Sequence, residues 1–386
     1  MTVTRGRAAI IDSATKRVQA MYGSAVGRKR QELVTPALVL DVDALQRNLD
    51  RMAARIAELP AGIRPHIKVH KSPEISRRQM AAGALGLCTA TVWEAMVMFE
   101  AGIDDLFVAN TIAGPDKIRA LAELARDAKV RVAVDDASTA DALSKAALAA
   151  GSTLGIMIEV DTGRDRAGVD DGDAALKLAQ HIARLPNLRF DGLTGYEGHC
   201  SLTPERDLRL EKQRAAMALF TGVADRLIAA GIEVRVLSAG GTGTWEWTAA
   251  HPRLTEVQAG TYAVMDMFHG HMSPGFEHSL TVQATVISKP HGHIIVDAGN
   301  KSMGAGGLAT IVGYPYESFR FDEEHGIFNA PTESALKVGD SVALVPGYSP
   351  GTVNWYDAYH VVKDDVVLDI WPVVPRGPGH NGLLAG

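Results

Sequence analysis

From about residue 36 to residue 271, short apolar, β-branched runs alternate with longer stretches whose hydrophobic positions recur at helical spacing. That alternation is the mark of repeated βα units. The runs predict strands over Ala37–Val42, Arg64–His70, Gly86–Thr91, Asp105–Asn110, Val130–Asp135, Leu154–Val160, Phe190–Tyr196, Val234–Ser238 and Thr255–Ala259. Between them, helical windows cover Asp43–Leu59, Pro73–Ala82, Val92–Ala101, Pro115–Ala128, Thr139–Ala150, Asp173–Leu185 and Pro204–Ala230, with a short piece around Trp245–Ala250. Prolines at Pro73, Pro115 and Pro204 are placed for first helical turns, and Gly102, Gly151 and Gly231 for helix ends. A closed TIM-type (β/α)8 barrel needs eight strands, one fewer than the candidates, so the first run is a candidate for another domain.

After about residue 272 the helical windows disappear. Runs at Leu280–Ser288, His293–Asp297, Phe319–Phe328, Ser341–Pro346, Ala358–Val362 and Val366–Trp371, separated by turn residues, predict a C-terminal antiparallel β-domain. The chain therefore divides into a basic helical N-terminal segment (1–35), a barrel (36–271), a β-domain (272–376) and a Gly/Pro-rich flexible tail (377–386). Its 386 residues suit two domains. A net charge of −6 gives no basic field for nucleic acid or an anionic membrane, so the expected partner is a small molecule. Two cysteines exclude a disulfide scaffold, and the N-terminus has no apolar signal core, which together predict a cytoplasmic protein.

Five segments carry candidate chemistry. Arg64-Pro-His-Ile-Lys-Val-His-Lys71 crowds basic and imidazole groups at a barrel strand, and strand alternation would put His66, Lys68 and His70 on one face. A desolvated lysine there has a depressed amine pKa and can attack a carbonyl; a rim of solvated cations is the bland alternative. Ser238-Ala-Gly-Gly-Thr-Gly-Thr244 and Gln258-Ala-Gly-Thr-Tyr262 are glycine-hydroxyl turns after successive late strands, a pattern that cradles phosphate. Glu159-Val-Asp-Thr-Gly-Arg-Asp-Arg166 offers an arginine able to hold a pyridine nitrogen unprotonated, or only a loop of ion pairs. Gly195-Tyr-Glu-Gly-His-Cys200 offers Tyr196 to pack on a flat ring and His199 as a general base.

These motifs, in this order and spacing over about residues 35–376, resemble the D-threonine aldolase and eukaryotic-type D-serine dehydratase family, fold-type III pyridoxal-phosphate enzymes related to alanine racemase. The resemblance implies an alanine racemase-like barrel with a β-domain, a homodimer, and pyridoxal 5′-phosphate carried by Lys68. It further implies His66 and Tyr196 beside the cofactor, Arg166 at its ring, and phosphate contacts from Gly240, Gly241, Thr242, Gly260, Thr261 and Tyr262, with Ser238 also expected among the cofactor-binding residues. The implied activity is aldolase-type cleavage of a D-configured β-hydroxy-α-amino acid such as D-threonine; the family's base-like histidine falls further along, where Leu202 and Thr203 stand here, so His199 is this chain's own candidate for taking the hydroxyl proton.

One departure stands out. Where the family carries a His-x-Asp or His-x-Cys metal pair before Thr-x-Asn, this chain reads Pro346-Gly-Tyr-Ser-Pro-Gly-Thr352, with Tyr348 and Pro350 at the ligand positions. Proline has no side-chain ligand, so the expectation is no metal site there. His269-Gly-His271 is a possible replacement pair. The missing pair also keeps open a metal-independent racemase, dehydratase or aldol-transfer reaction, or a non-catalytic pyridoxal-phosphate carrier.

Overall fold

The computed structural model describes residues 9–304 and 308–379. After a helix at Ala9–Tyr22, the strands in chain order are β1 (Ala37–Asp41), β2 (Gly62–Ile63), β3 (Leu87–Thr89), β4 (Asp105–Thr111), β5 (Lys129–Val134), β6 (Leu154–Val160), β7 (Leu188–Gly195), β8 (Val236–Ala239) and β9 (Glu256–Val257). There follow β10 (Leu280–Ser288), β11 (His293–Val296), β12 (Ala309–Ile311), β13 (Ser318–Phe321), β14 (Gly326–Asn329), β15 (Ser341–Pro346), β16 (Ala358–Lys363) and β17 (Val366–Pro372). Strands β2 to β9 form an eight-stranded parallel sheet in the order β2-β9-β8-β7-β6-β5-β4-β3, curved as a TIM-type barrel. Its two ends meet at a single bridge, His66 to Cys88.

The first predicted strand lies outside the barrel. Strand β1 pairs antiparallel with β10 and parallel with β16, so the barrel segment begins after Asp41 and the second, nine-stranded sheet is built from both ends of the chain. Sheet membership depends on partners hundreds of residues away, which local pattern does not reveal. The predicted run Phe319–Phe328 divides into β13 and β14 around a turn at 322–325. The helix expected from Pro204 starts at Arg206, whereas Pro73 and Pro115 do open their helices. The expected flexible tail is anchored at its start: Arg376 Nε donates to Asp357 and the Gly377 amide to Asn354. Residues 380–386 lie outside the described residues.

The N-terminal ends of the barrel strands enclose an ion cluster. Arg64, 1 % exposed, forks onto Glu256 at 2.8 and 3.0 Å and reaches Asp105 at 2.7 Å. Arg131 donates to the same Glu256 at 3.0 Å and approaches Asp191 at 3.5 Å. Burial pushes the Glu256 carboxyl upward, but the bonds and charges of Arg64 and Arg131 outweigh it and hold the group below its ordinary 4.5. A buried pair of this kind adds little net stability, yet removing one partner strands a charge and costs about 3–5 kcal/mol.

Glu256→Ala is therefore expected to lower stability by about 3–5 kcal/mol, read as a fall in the urea midpoint. Because the folded carboxyl titrates below the unfolded one, its contribution is complete above pH 4.5 and lost as pH falls below it. That acid limb of the midpoint against pH should shrink in the variant.

Candidate active site

The segment predicted as strand Arg64–His70 is extended only at its start. Beyond Pro65 it turns into a 3-10 helix, Ile67–Val69, which His66 caps by accepting the Lys68 amide on Nδ1 at 3.4 Å. Gly260 leaves room for the turn to pack closely; a side chain at Gly260 would begin 2.3 Å from the His66 carbonyl oxygen. Strand alternation consequently fails. Lys68 and His66 face the central cavity, while His70 turns away to Gln79 at 3.1 Å.

Two neighbouring lysines receive opposite environments. Lys71 donates to the buried Glu94 at 2.5 Å and to the Pro375 carbonyl, and is thereby neutralised. The Lys68 amine has no hydrogen-bonding or ion-pair partner among the described residues; its Nζ lies 5.3 Å from the centroid of the Tyr196 ring. Burial, and then the charge of Arg166, depress its pKa below the ordinary 10.5. Tyr196 is wedged where glycines leave room: side chains at Gly198 and Gly241 would begin 2.4 and 3.0 Å from its ring. Burial and the Glu197 charge push its phenol up to about 12, so it stays protonated. Arg166 stands 5.7 Å from the same ring and bonds Glu159 at 3.2 Å.

The cavity holds about 610 Å³. Of the expected site residues, His66, Lys68, Arg166, Tyr196, Gly240, Gly241, Thr242, Gly260 and Thr261 line it. Ser238 supports from behind, accepting from Gln258, which does line the wall and also bonds Thr194. The Tyr262 phenol is buried away from the cavity and accepts from Gln79. His199 is absent from the wall: its Nε2 is 3.6 Å from Cys200 Sγ and its Nδ1 is buried without a partner. The histidines that do line it are His66, His269 and His271.

The glycine turn depends on Glu197, which the sequence reading passed over although it sits inside the quoted Gly195–Cys200 run. Its carboxylate accepts from the Gly240 amide and from the Thr244 and Thr248 hydroxyls. The amides of Gly240, Gly241 and Tyr262 are thus already engaged within the chain. Those of Thr242, Gly243, Gly260 and Thr261 meet no protein acceptor among the described residues, and they converge from two loops. Such unsatisfied amides form an anion cradle.

The β-domain closes the cavity with Leu308, Gly347, Tyr348 and Pro350. Among the described residues no three His, Cys, Asp or Glu side chains come together as a metal group. His269, expected as half of a replacement pair, gives its Nδ1 to Asp266 at 2.8 Å instead. Neither Tyr348 nor Pro350 has a carboxylate or imidazole with which to replace the family's pair.

Comparison with known proteins agrees along nearly the whole chain. Residues 40–267 match the family described as alanine racemase, N-terminal domain, and residues 279–362 that described as putative serine dehydratase domain. A D-threonine aldolase of Arthrobacter sp. is 40% identical over 351 residues, covering 89% of this chain and 93% of that protein. A 3-hydroxy-D-aspartate aldolase of Paracoccus denitrificans is 34% identical, covering 92% and 95%. The crystal structure of D-threonine aldolase from Filomicrobium marinum superposes with a TM-score of 0.88 at 35% identity, covering 91% of this chain and 98% of that one.

The contact at Gly260 yields a direct test. Gly260→Ala must push the turn at His66 away and splay the two amide-bearing loops. It should weaken binding of a small phosphate ester measured by calorimetry, with the circular dichroism spectrum retained.

Proposed function

The chain belongs to the alanine racemase N-terminal domain family, in its D-threonine aldolase-like branch, and on that premise we propose that it is a pyridoxal-phosphate lyase cleaving D-configured β-hydroxy-α-amino acids to glycine and an aldehyde. The observation that carries the proposal is Lys68: a half-buried amine with a depressed pKa and no side-chain partner among the described residues, facing a cavity lined also by Thr242, Gly260 and Thr261, whose amides are free. Lys68 would carry the cofactor, the amides of Thr242, Gly243, Gly260 and Thr261 would hold its phosphate, and Arg166 would face its ring. When bound, pyridoxal phosphate supplies the electron sink for the pair left at Cα.

The chain's own groups do the remaining work. A neutral Lys68 amine is a nucleophile toward a carbonyl and a proton carrier at Cα. Tyr196, protonated and fixed by Gly198 and Gly241, gives a rigid aromatic wall. Met267, Phe268, Met272, Leu308 and Pro350 line the cavity with apolar groups that exclude water from the reacting centre. Arg164 adds an exposed guanidinium at the wall, suited to a substrate carboxylate.

The same reading makes the protein a cytoplasmic homodimer. Two free, buried cysteines suit a reducing compartment, and no described helix is long and apolar enough to cross a membrane. Leu308, Val312, Phe319 and Trp355 of the β-domain are large exposed apolar side chains suited to burial against a second copy.

Lys68→Ala is expected to abolish both the visible absorbance of bound cofactor and aldehyde release from D-threonine. Formation of a 2-oxo acid and ammonia instead of aldehyde and glycine would identify a dehydratase. Separately, Arg166→Met removes a charge that depresses the Lys68 pKa, so the pH midpoint for cofactor capture by the apoprotein should move upward.

A further inference from the structure

Cleavage between Cα and Cβ of a β-hydroxy amino acid requires an acceptor for the hydroxyl proton. The residue expected for this, His199, is not part of the cavity wall, and the segment 345–353 offers no ionised ligand to replace it with a metal. Resting on the function proposed above, we propose that His269, oriented by the buried carboxylate of Asp266, takes the β-hydroxyl proton of the substrate on its Nε2.

The geometry for this is built, not incidental. Asp266 is 0 % exposed and precedes the short helix Met267–Gly270. One carboxylate oxygen accepts from the His269 amide at 2.9 Å and from His269 Nδ1 at 2.8 Å. The other accepts from the amide and hydroxyl of Ser349 at 2.9 and 3.0 Å, so the β-domain clamps the carboxylate in place. An ionised carboxylate only accepts hydrogen bonds, which places the proton of a neutral imidazole on Nδ1 and leaves the Nε2 lone pair free. That Nε2 meets no partner among the described residues, and His269 lines the cavity with Lys68.

The other imidazoles are arranged differently. His66 uses Nδ1 as the acceptor for the Lys68 amide, which in its neutral form puts the proton on Nε2 and makes it a donor toward the cavity. His271 is exposed and has no orienting partner among the described residues. The Asp266–His269 pairing alone presents an oriented acceptor, the arrangement by which a carboxylate holds the tautomer of a catalytic histidine.

The step balances without a further reactant. The hydroxyl proton passes to His269 Nε2 as the C–O bond becomes a carbonyl and the Cα–Cβ bond breaks. The electron pair of that bond stays with Cα, where a proton later completes glycine, and the aldehyde leaves. His269 returns its proton to solvent before the next turnover.

The test uses the full-length holoenzyme. His269→Asn keeps a donor to Asp266 and lacks Nε2, so D-threonine cleavage should fall about 10²–10⁴-fold while cofactor absorbance and exchange of the glycine α-proton for deuterium stay within about twofold. Glycine exchange needs no hydroxyl acceptor and so reports a folded, loaded site. In Asp266→Asn, cleavage should fall with absorbance retained, and the double variant should fall no further than His269→Asn. Undiminished cleavage in His269→Asn, exchange falling in step with cleavage, or the loss appearing in His199→Asn instead would each overturn the assignment. So would cleavage that stops on chelation, with bound divalent metal missing from His269→Asn. If the unsubstituted protein binds cofactor but cleaves nothing, the proposed function itself fails.

Discussion

Everything at the cavity hangs from a buried guanidinium. Strand β2 has only two residues, too few to hold the barrel by backbone hydrogen bonds alone, and the seam beside it is a single bridge. Arg64 compensates by joining β2 to Glu256 at the start of β9 and to Asp105 at the start of β4. Two residues further along lies His66, whose carbonyl fixes the approach of Gly260, and two beyond that Lys68. The ionic closure thus lies four residues before the Lys68 amine on the same short segment.

The cavity works by selective withdrawal of partners. Lys71 is neutralised by Glu94, whereas Lys68, three residues away, meets only an aromatic ring. Glu197 engages the Gly240 amide and leaves those of Thr242 and Gly243 open. Unpartnered polar groups are costly in an interior, and the Lys68 amine and the amides of Thr242, Gly260 and Thr261 share one cavity. They mark where an anion's oxygens would accept from the free amides and where an electrophilic carbonyl carbon would meet the amine.

Much of this was legible in the sequence. The βα rhythm, the late β-domain and the identities of Lys68, Tyr196 and the two glycine turns followed from period, spacing and residue chemistry. The orientation of the lysine segment did not, because Ile67 and Val69 read as strand while the turn packs against Gly260, some 190 residues on. The amides free for an anion were not readable either, since which of them Glu197 and Thr244 occupy is settled only in three dimensions. His269 could be seen only as one of two spaced histidines until Asp266 and Ser349 gave its ring a direction.

Strand β1 has a consequence for how the molecule is made. Its residues Leu38, Val39 and Leu40 are fully buried between β10 and β16, with Val39 opposite both Thr281 and His360. A ribosome releases the strand long before either neighbour, and at about 5–20 residues per second the second partner follows by tens of seconds. The barrel strands end at Val257 and β10 follows from Leu280, so one edge of β1 can be covered soon after the barrel is made, while the edge that β16 takes stays open for some 70 residues more. Until β16 is made, the second sheet carries an unpaired apolar edge next to a barrel that is already complete.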